Sequence, residues 1–187
     1  MEPQHSTRQR RTSRAFTLIE TVVTMVLLAI VMAVVSNLFL SASMGYTSAA
    51  ARSELHAELS AALERVVLDL RSARPKSGAS PSVADITSTT PSSITWIDTD
   101  GTTRAVSLSG TDLLYSVSGA AGDVLSSSAS SFGIATFDQS NVALATTLSG
   151  AGVESIWRVQ VTIVGTRGGL TETLRTRVFP RAVLLGG

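Results

Sequence analysis

Cysteine is absent from the 187 residues. That excludes a disulfide framework, thiolate metal sites and a cysteine nucleophile, while leaving an oxidising compartment open. Histidine is almost as scarce, with only His5 and His56, so a triad built on a positioned histidine base has few candidates. Charge is missing where it would be most telling. Charged residues make up 16% of the chain, yet none occurs from Thr21 to Ala51. Aromatic residues reach only 5%, and no basic face interleaved with aromatics is apparent, so nucleic acid is not an expected partner.

What is present is an apolar excess gathered in one place. Hydrophobic residues are 44% of the chain, and the strongly apolar stretch from Thr21 to about Ser43 would span about 34 Å as a helix. That matches a hydrocarbon layer of about 30 Å. Ahead of it lie Arg8, Arg10, Arg11 and Arg14 against the single acid Glu2. A basic head before an apolar span is retained on the cytoplasmic side, which places the rest of the chain outside the cytoplasm. A removable secretory signal is the competing reading, because Ala49 and Ala51 form an A-x-A arrangement and Arg10-Arg11 is a twin arginine. The apolar run is too long for such a signal, and the apolar residue expected soon after an arginine pair is missing.

One residue sits awkwardly in this segment. Glu20 lies inside the apolar run of "RAFTLIETVVTMVLLAIVMAVV", where an ionised acid near mid-bilayer costs about 2.5 to 3.5 kcal/mol on insertion scales. Such an acid needs a cation.

Beyond the span, Leu55, Leu59, Leu63, Val66, Leu70 and Ala73 recur three and four residues apart. This spacing predicts an amphipathic helix continuing the first, from Phe16 to about Arg74, with Pro75 ending it. Residues 75–93, rich in proline, serine and threonine, predict a loop. Afterwards the period becomes strand-like in "SITWID", "TRAVSLS", "DLLYSVS", "SFGIATFD", "SIWRVQVTIV" and "LTETLRTRVF". Within the fifth run, Trp157, Val159, Val161 and Ile163 share one face and Arg158, Gln160 and Thr162 the other, as in a sheet buried on one side. The expected organisation is a basic leader over 1–15, a membrane-spanning helix over 16–43, its amphipathic continuation over 44–74, the loop over 75–93 and an antiparallel β domain over 94–187. The fold class is α+β.

Few residues suggest catalysis or metal binding. His56 falls at the edge of the helical stripe, with no nucleophile elbow in view, and reads as a solvated or packing side chain. Asp98 and Asp100 begin a pattern that resembles a calcium loop but lack its later glutamate, so "DTDG" reads as a hairpin turn. "GTRGGL" lacks the lysine of a P-loop and lies between two strands, again predicting a hairpin. The serines of "LSSSASSF" read as loop or edge-strand residues. Nothing here calls for a cofactor or points to an enzyme.

With those residues in hand, "RAFTLIETVV" resembles the processing site of type IV prepilins and of the pseudopilins of type II secretion. Those proteins share a basic leader, a cut before phenylalanine and a glutamate as the fifth mature residue. The resemblance implies that prepilin peptidase cuts between Ala15 and Phe16, that the new amino terminus of Phe16 is N-methylated, and that Glu20 is the assembly residue. Two departures stand out: the family usually has glycine where Ala15 stands, and the helix proline of major pilins is absent, with Asn37 in that region. "LERVVLDLRSA" followed by a proline-bearing loop is similar to the J-type minor pseudopilins and some minor pilins. The implied fold is pilin-like, a long N-terminal helix whose second half packs on a mostly antiparallel sheet. The implied partners are other pilins or pseudopilins, prepilin peptidase, the inner-membrane assembly platform and membrane lipid. A single-pass anchored or secreted binding module is the alternative from another class.

Overall fold

The computed structural model describes residues 17–78 and 83–180. Its elements are helix α1 (Leu18–Arg71), strands β1 (Ile86–Thr90), β2 (Ser93–Ile97), β3 (Thr103–Ser109), β4 (Asp112–Val117), β5 (Asp123–Ser126), β6 (Ala129–Phe137) and β7 (Leu148–Ser149), a 3-10 turn over Gly150–Ser155, then β8 (Arg158–Arg167) and β9 (Leu170–Val178). The chain divides into two compact units, Met1–Thr47 and Ser48–Gly187. Its class is α+β and pilin-like: a long N-terminal apolar helix followed by an antiparallel β domain.

In the first unit, α1 forms because nothing interrupts it: no proline occurs from Thr17 to Arg74, and Leu, Ala and Met supply strong helix propensity. Every described residue from Thr17 to Ala50 is exposed. Its most apolar 18-residue window has a mean hydropathy of 2.7, so the helix is long and apolar enough to cross a membrane.

In the second unit, the stripe faces inward as its spacing predicts. Leu55, Leu59, Val66 and Leu70 have no exposed surface, Ala62 and Ala73 are buried, and Leu63 packs partly against the same core. Each fully buried leucine or valine contributes about 1.5 to 3 kcal/mol, so this face is a main source of the domain's stability.

Two sheets share that core, every strand pair being antiparallel. One is six-stranded in the order β5-β4-β3-β2-β1-β7, the other three-stranded in the order β6-β8-β9. Ile94, Trp96, Val106 and Leu113 enter the core from the first sheet, and Phe132, Ile134, Val159, Val161 and Ile163 from the second. The alternation along β8 is as its sequence predicts, with Val159, Val161 and Ile163 buried and Arg158, Gln160 and Thr162 between them.

Two expectations need correction. Residues 75–93 are not all loop: β1 occupies Ile86–Thr90 and pairs with β2 and β7. Its ITSTT sequence is polar, but β-branched isoleucine and threonine suit an extended, half-buried chain. The helix also ends at Arg71, short of Arg74, because Arg74 donates its backbone N–H to Ile97 and accepts one from Asp85, as a strand would.

Gly165 decides how closely helix and sheet approach. A Cβ at this buried position in β8 would lie 2.6 Å from Leu59 Cδ1 and 3.1 Å from Leu55 Cδ1. Both leucines are fully buried, so they would have to repack within the core. Gly165→Val is therefore expected to lower unfolding free energy by about 3 kcal/mol, read by denaturant titration of the detergent-solubilised chain. Gly133→Ala, whose Cβ would meet Thr162 Cβ at an ordinary 3.6 Å, is the near-neutral control.

Candidate functional site

Thr17 opens α1. Its backbone carbonyl accepts the N–H groups of Glu20 and Thr21 at 3.1 and 3.2 Å, and its Oγ1 lies 3.4 Å from the Glu20 N–H. This is one half of a capping box, T-x-x-E, and it places Glu20 in the first turn, where the helix dipole favours a negative charge. The Glu20 side chain is exposed and has no ion-pair partner among the described residues.

Several hydroxyls of this segment are satisfied within the helix. Thr21 Oγ1 donates to the Leu18 carbonyl at 2.8 Å, Thr24 Oγ1 to Glu20 at 2.8 Å, and Ser36 Oγ to Met32 at 2.8 Å. Back-bonded hydroxyls present little unmet polarity to lipid. Among the described residues from Thr17 to Ala50, Glu20 is then the one formally charged side chain on a mostly apolar, solvent-facing surface. Ala15, Phe16 and the leader arginines Arg8, Arg10, Arg11 and Arg14 lie outside the described residues.

The remaining candidates resolve into structural roles. Asp98 is 2% exposed, and its Oδ1 accepts the N–H groups of Asp100 and Thr102 at 2.9 and 3.1 Å while Oδ2 pairs with Arg104 Nε. The turn that follows uses Gly101 at φ +79°. Burial pushes the Asp98 carboxyl up, but the Arg104 side chain and the two N–H donors outweigh it and hold the group below its usual range. Asp98 thus serves as a turn anchor, and no metal-ligating cluster involving Asp98 or Asp100 occurs among the described residues. "GTRGGL" closes a hairpin through Gly168 and Gly169, both at positive φ. His56 Nδ1 lies 3.2 Å from Glu172 Oε1, and Arg52 approaches the other carboxylate oxygen, Oε2, at 3.5 Å.

Two arrangements escape sequence reasoning. The serine tract clamps a helix residue: Ser126 Oγ and the Ser127 N–H donate to Glu58 Oε1 at 2.7 and 3.0 Å, and Ser128 Oγ to Oε2 at 3.2 Å. Burial raises the Glu58 carboxyl, and these donors more than offset it, leaving the group below its ordinary value. A run of serines carries no signal that names a glutamate nearly 70 positions away. Secondly, a basic face with aromatics does exist. Arg158 lies 5.2 Å over the Phe179 ring and Arg177 4.7 Å over that of Phe137, brought together by the pairing of β6, β8 and β9. Sequence patterning missed it because its members come from β6, β8, β9 and the residue that follows β9.

Residues 10–36 match the family model described as the prokaryotic N-terminal methylation motif. No curated protein matches the chain. The matched segment contains the capped first turn, Glu20 and the start of the exposed apolar helix, and it marks the chain as similar to type IV pilins and pseudopilins.

Proposed function

We propose that this chain is a minor pseudopilin or minor pilin, a structural subunit of a type II secretion pseudopilus or type IV pilus. The observation that carries the reading is Glu20, a lone acid in the first turn of an exposed apolar helix, inside a segment matching the methylation motif. Cleavage by prepilin peptidase between Ala15 and Phe16 would create an α-amino group of reference pKa about 7.7 to 8.0, largely cationic at neutral pH and still so after one methylation. That amine on a neighbouring subunit would pair with Glu20 and set the stagger between adjacent helices. Before assembly, the basic leader holds the amino terminus in the cytoplasm and the β domain faces the extracytoplasmic side of the inner membrane. The assembly platform then transfers the helix from lipid into the filament core, where other pilins or pseudopilins replace lipid around it. Keeping Glu20 separates the chain from the tip subunit of such systems, which lacks that acid.

Orientation is open to direct test. Protease added to intact spheroplasts should digest the β domain, leaving a membrane-protected fragment that contains the apolar helix. A β domain cut only after the membrane is permeabilised would contradict the reading.

A further inference from the structure

Strand β9 ends the three-stranded sheet, and no described strand pairs with its outer edge. The two-residue loop Gly168-Gly169 makes Arg167 and Leu170 the first hydrogen-bonded pair of the hairpin. By antiparallel alternation, Leu170, Glu172, Leu174, Thr176 and Val178 bond to β8, and the backbone groups of Thr171, Thr173, Arg175 and Arg177 point to the open edge. The register has no bulge to disturb this.

The two sides of the edge differ in chemistry. Toward the core, a groove of about 410 Å³ runs between β9 and α1, with Leu63, Val67 and Leu174 as its apolar lining and His56, Glu64 and part of Arg175 among its polar lining. Away from the core, Arg175 and Arg177 are exposed, with Arg158 beside them on β8. None of these three has a carboxylate partner among the described residues, whereas Arg52, Arg65, Arg74, Arg104 and Arg167 all do.

We infer that the free edge of β9 accepts an extended segment of another protein as an added strand, one whose residues alternate between apolar and acidic. Its backbone would complete the open ladder, its apolar residues would enter the groove beside Leu63, Val67 and Leu174, and its acids would lie over Arg175 and Arg177. Side chains two apart on a strand stand about 6.6 Å apart, so acids at alternate positions meet both arginines in register. A second copy of β9 fits less well, because the face it would lay beside Arg175 and Arg177 carries only Thr171, Thr173 and the same two arginines, and no acid. Single-stranded nucleic acid also fits less well: guanidinium groups already cover faces of Phe137 and Phe179 that bases would need for stacking.

The full-length chain in detergent is titrated against a fluorescent peptide of alternating glutamate and valine, with a lysine-valine peptide and a labelled oligo-dT strand alongside. The glutamate peptide should bind and the other two should not. Thr173→Pro removes an edge N–H that β8 does not use, a position where an edge strand tolerates proline, and should abolish binding with the thermal melt retained. Should that variant unfold, Arg175→Glu with Arg177→Glu serves instead, weakening the glutamate peptide about tenfold or more and admitting the lysine one. Absence of glutamate-peptide binding would overturn the inference, leaving the arginines as charges that keep the edge from pairing. So would oligo-dT binding that survives Thr173→Pro, or a dimer that forms through β9.

Discussion

Replacing Glu20 by alanine is expected to leave membrane insertion and leader removal intact while abolishing incorporation into the filament. The two effects have opposite signs. In the membrane, the carboxylate is a burden of about 2.5 to 3.5 kcal/mol at helix-centre values, eased here by its position in the first turn, so the alanine variant should insert at least as readily. In the proposed assembly the same change would leave a methylated amine without its counter-charge, and breaking a buried pair by deleting one member costs about 3 to 5 kcal/mol. That is two to four decades in an equilibrium constant at each contact. Glu20→Gln keeps the shape and loses the charge, so it should fail in the same way. Quantifying the subunit in sheared filaments and in membranes separates the two steps; normal incorporation of either variant would remove the electrostatic basis of the account.

The second large effect is expected at Asp98. Asp98→Ala should destabilise the β domain by about 3 to 5 kcal/mol, since it strips the counter-charge from Arg104 and the acceptor from the Asp100 and Thr102 N–H groups at a site 2% exposed. Arg104 would keep its bond to the Tyr115 hydroxyl and a distant carboxylate, Asp69, at 3.9 Å. Asp98→Asn retains an acceptor for the turn and should fall between alanine and the native residue. Acid should reproduce part of the loss. The folded carboxyl lies below its unfolded value of about 3.8, so its contribution is complete above that pH and disappears as pH falls through the depressed folded value. Denaturant midpoints measured between pH 7 and pH 3 should therefore decline more for the native chain than for Asp98→Ala at the acid end.

How far each feature could be read from residues alone depends on whether its cause is local. The inward stripe of Leu55, Leu59, Val66 and Leu70 is a 3.6-residue period, and the alternation of Val159, Val161 and Ile163 is a two-residue one; both are written in consecutive residues. The turns at Gly101 and at Gly168-Gly169 are equally local, since positive φ selects glycine. Strand β1 was hidden because its polar ITSTT is held by partners on both sides, β2 and β7, and such pairing leaves little trace in one strand's own pattern. Gly165 looked like part of a loop motif; its purpose depends on where Leu59 lies, about a hundred residues earlier. The Glu58 clamp and the arginines of β8 and β9 share that limitation. At the candidate site, Glu20 could be found because a charge directly before the long uncharged run from Thr21 to Ala51 is conspicuous by itself, whereas the amine proposed as its partner would belong to another molecule.

The most direct test is the intact mass and N-terminal sequence of the subunit recovered from purified filaments. The account predicts chains that begin at Phe16 and carry one methyl group on its amine. Functional filaments built from chains that retain Arg8, Arg10, Arg11 and Arg14, or that begin near Arg52, would contradict it.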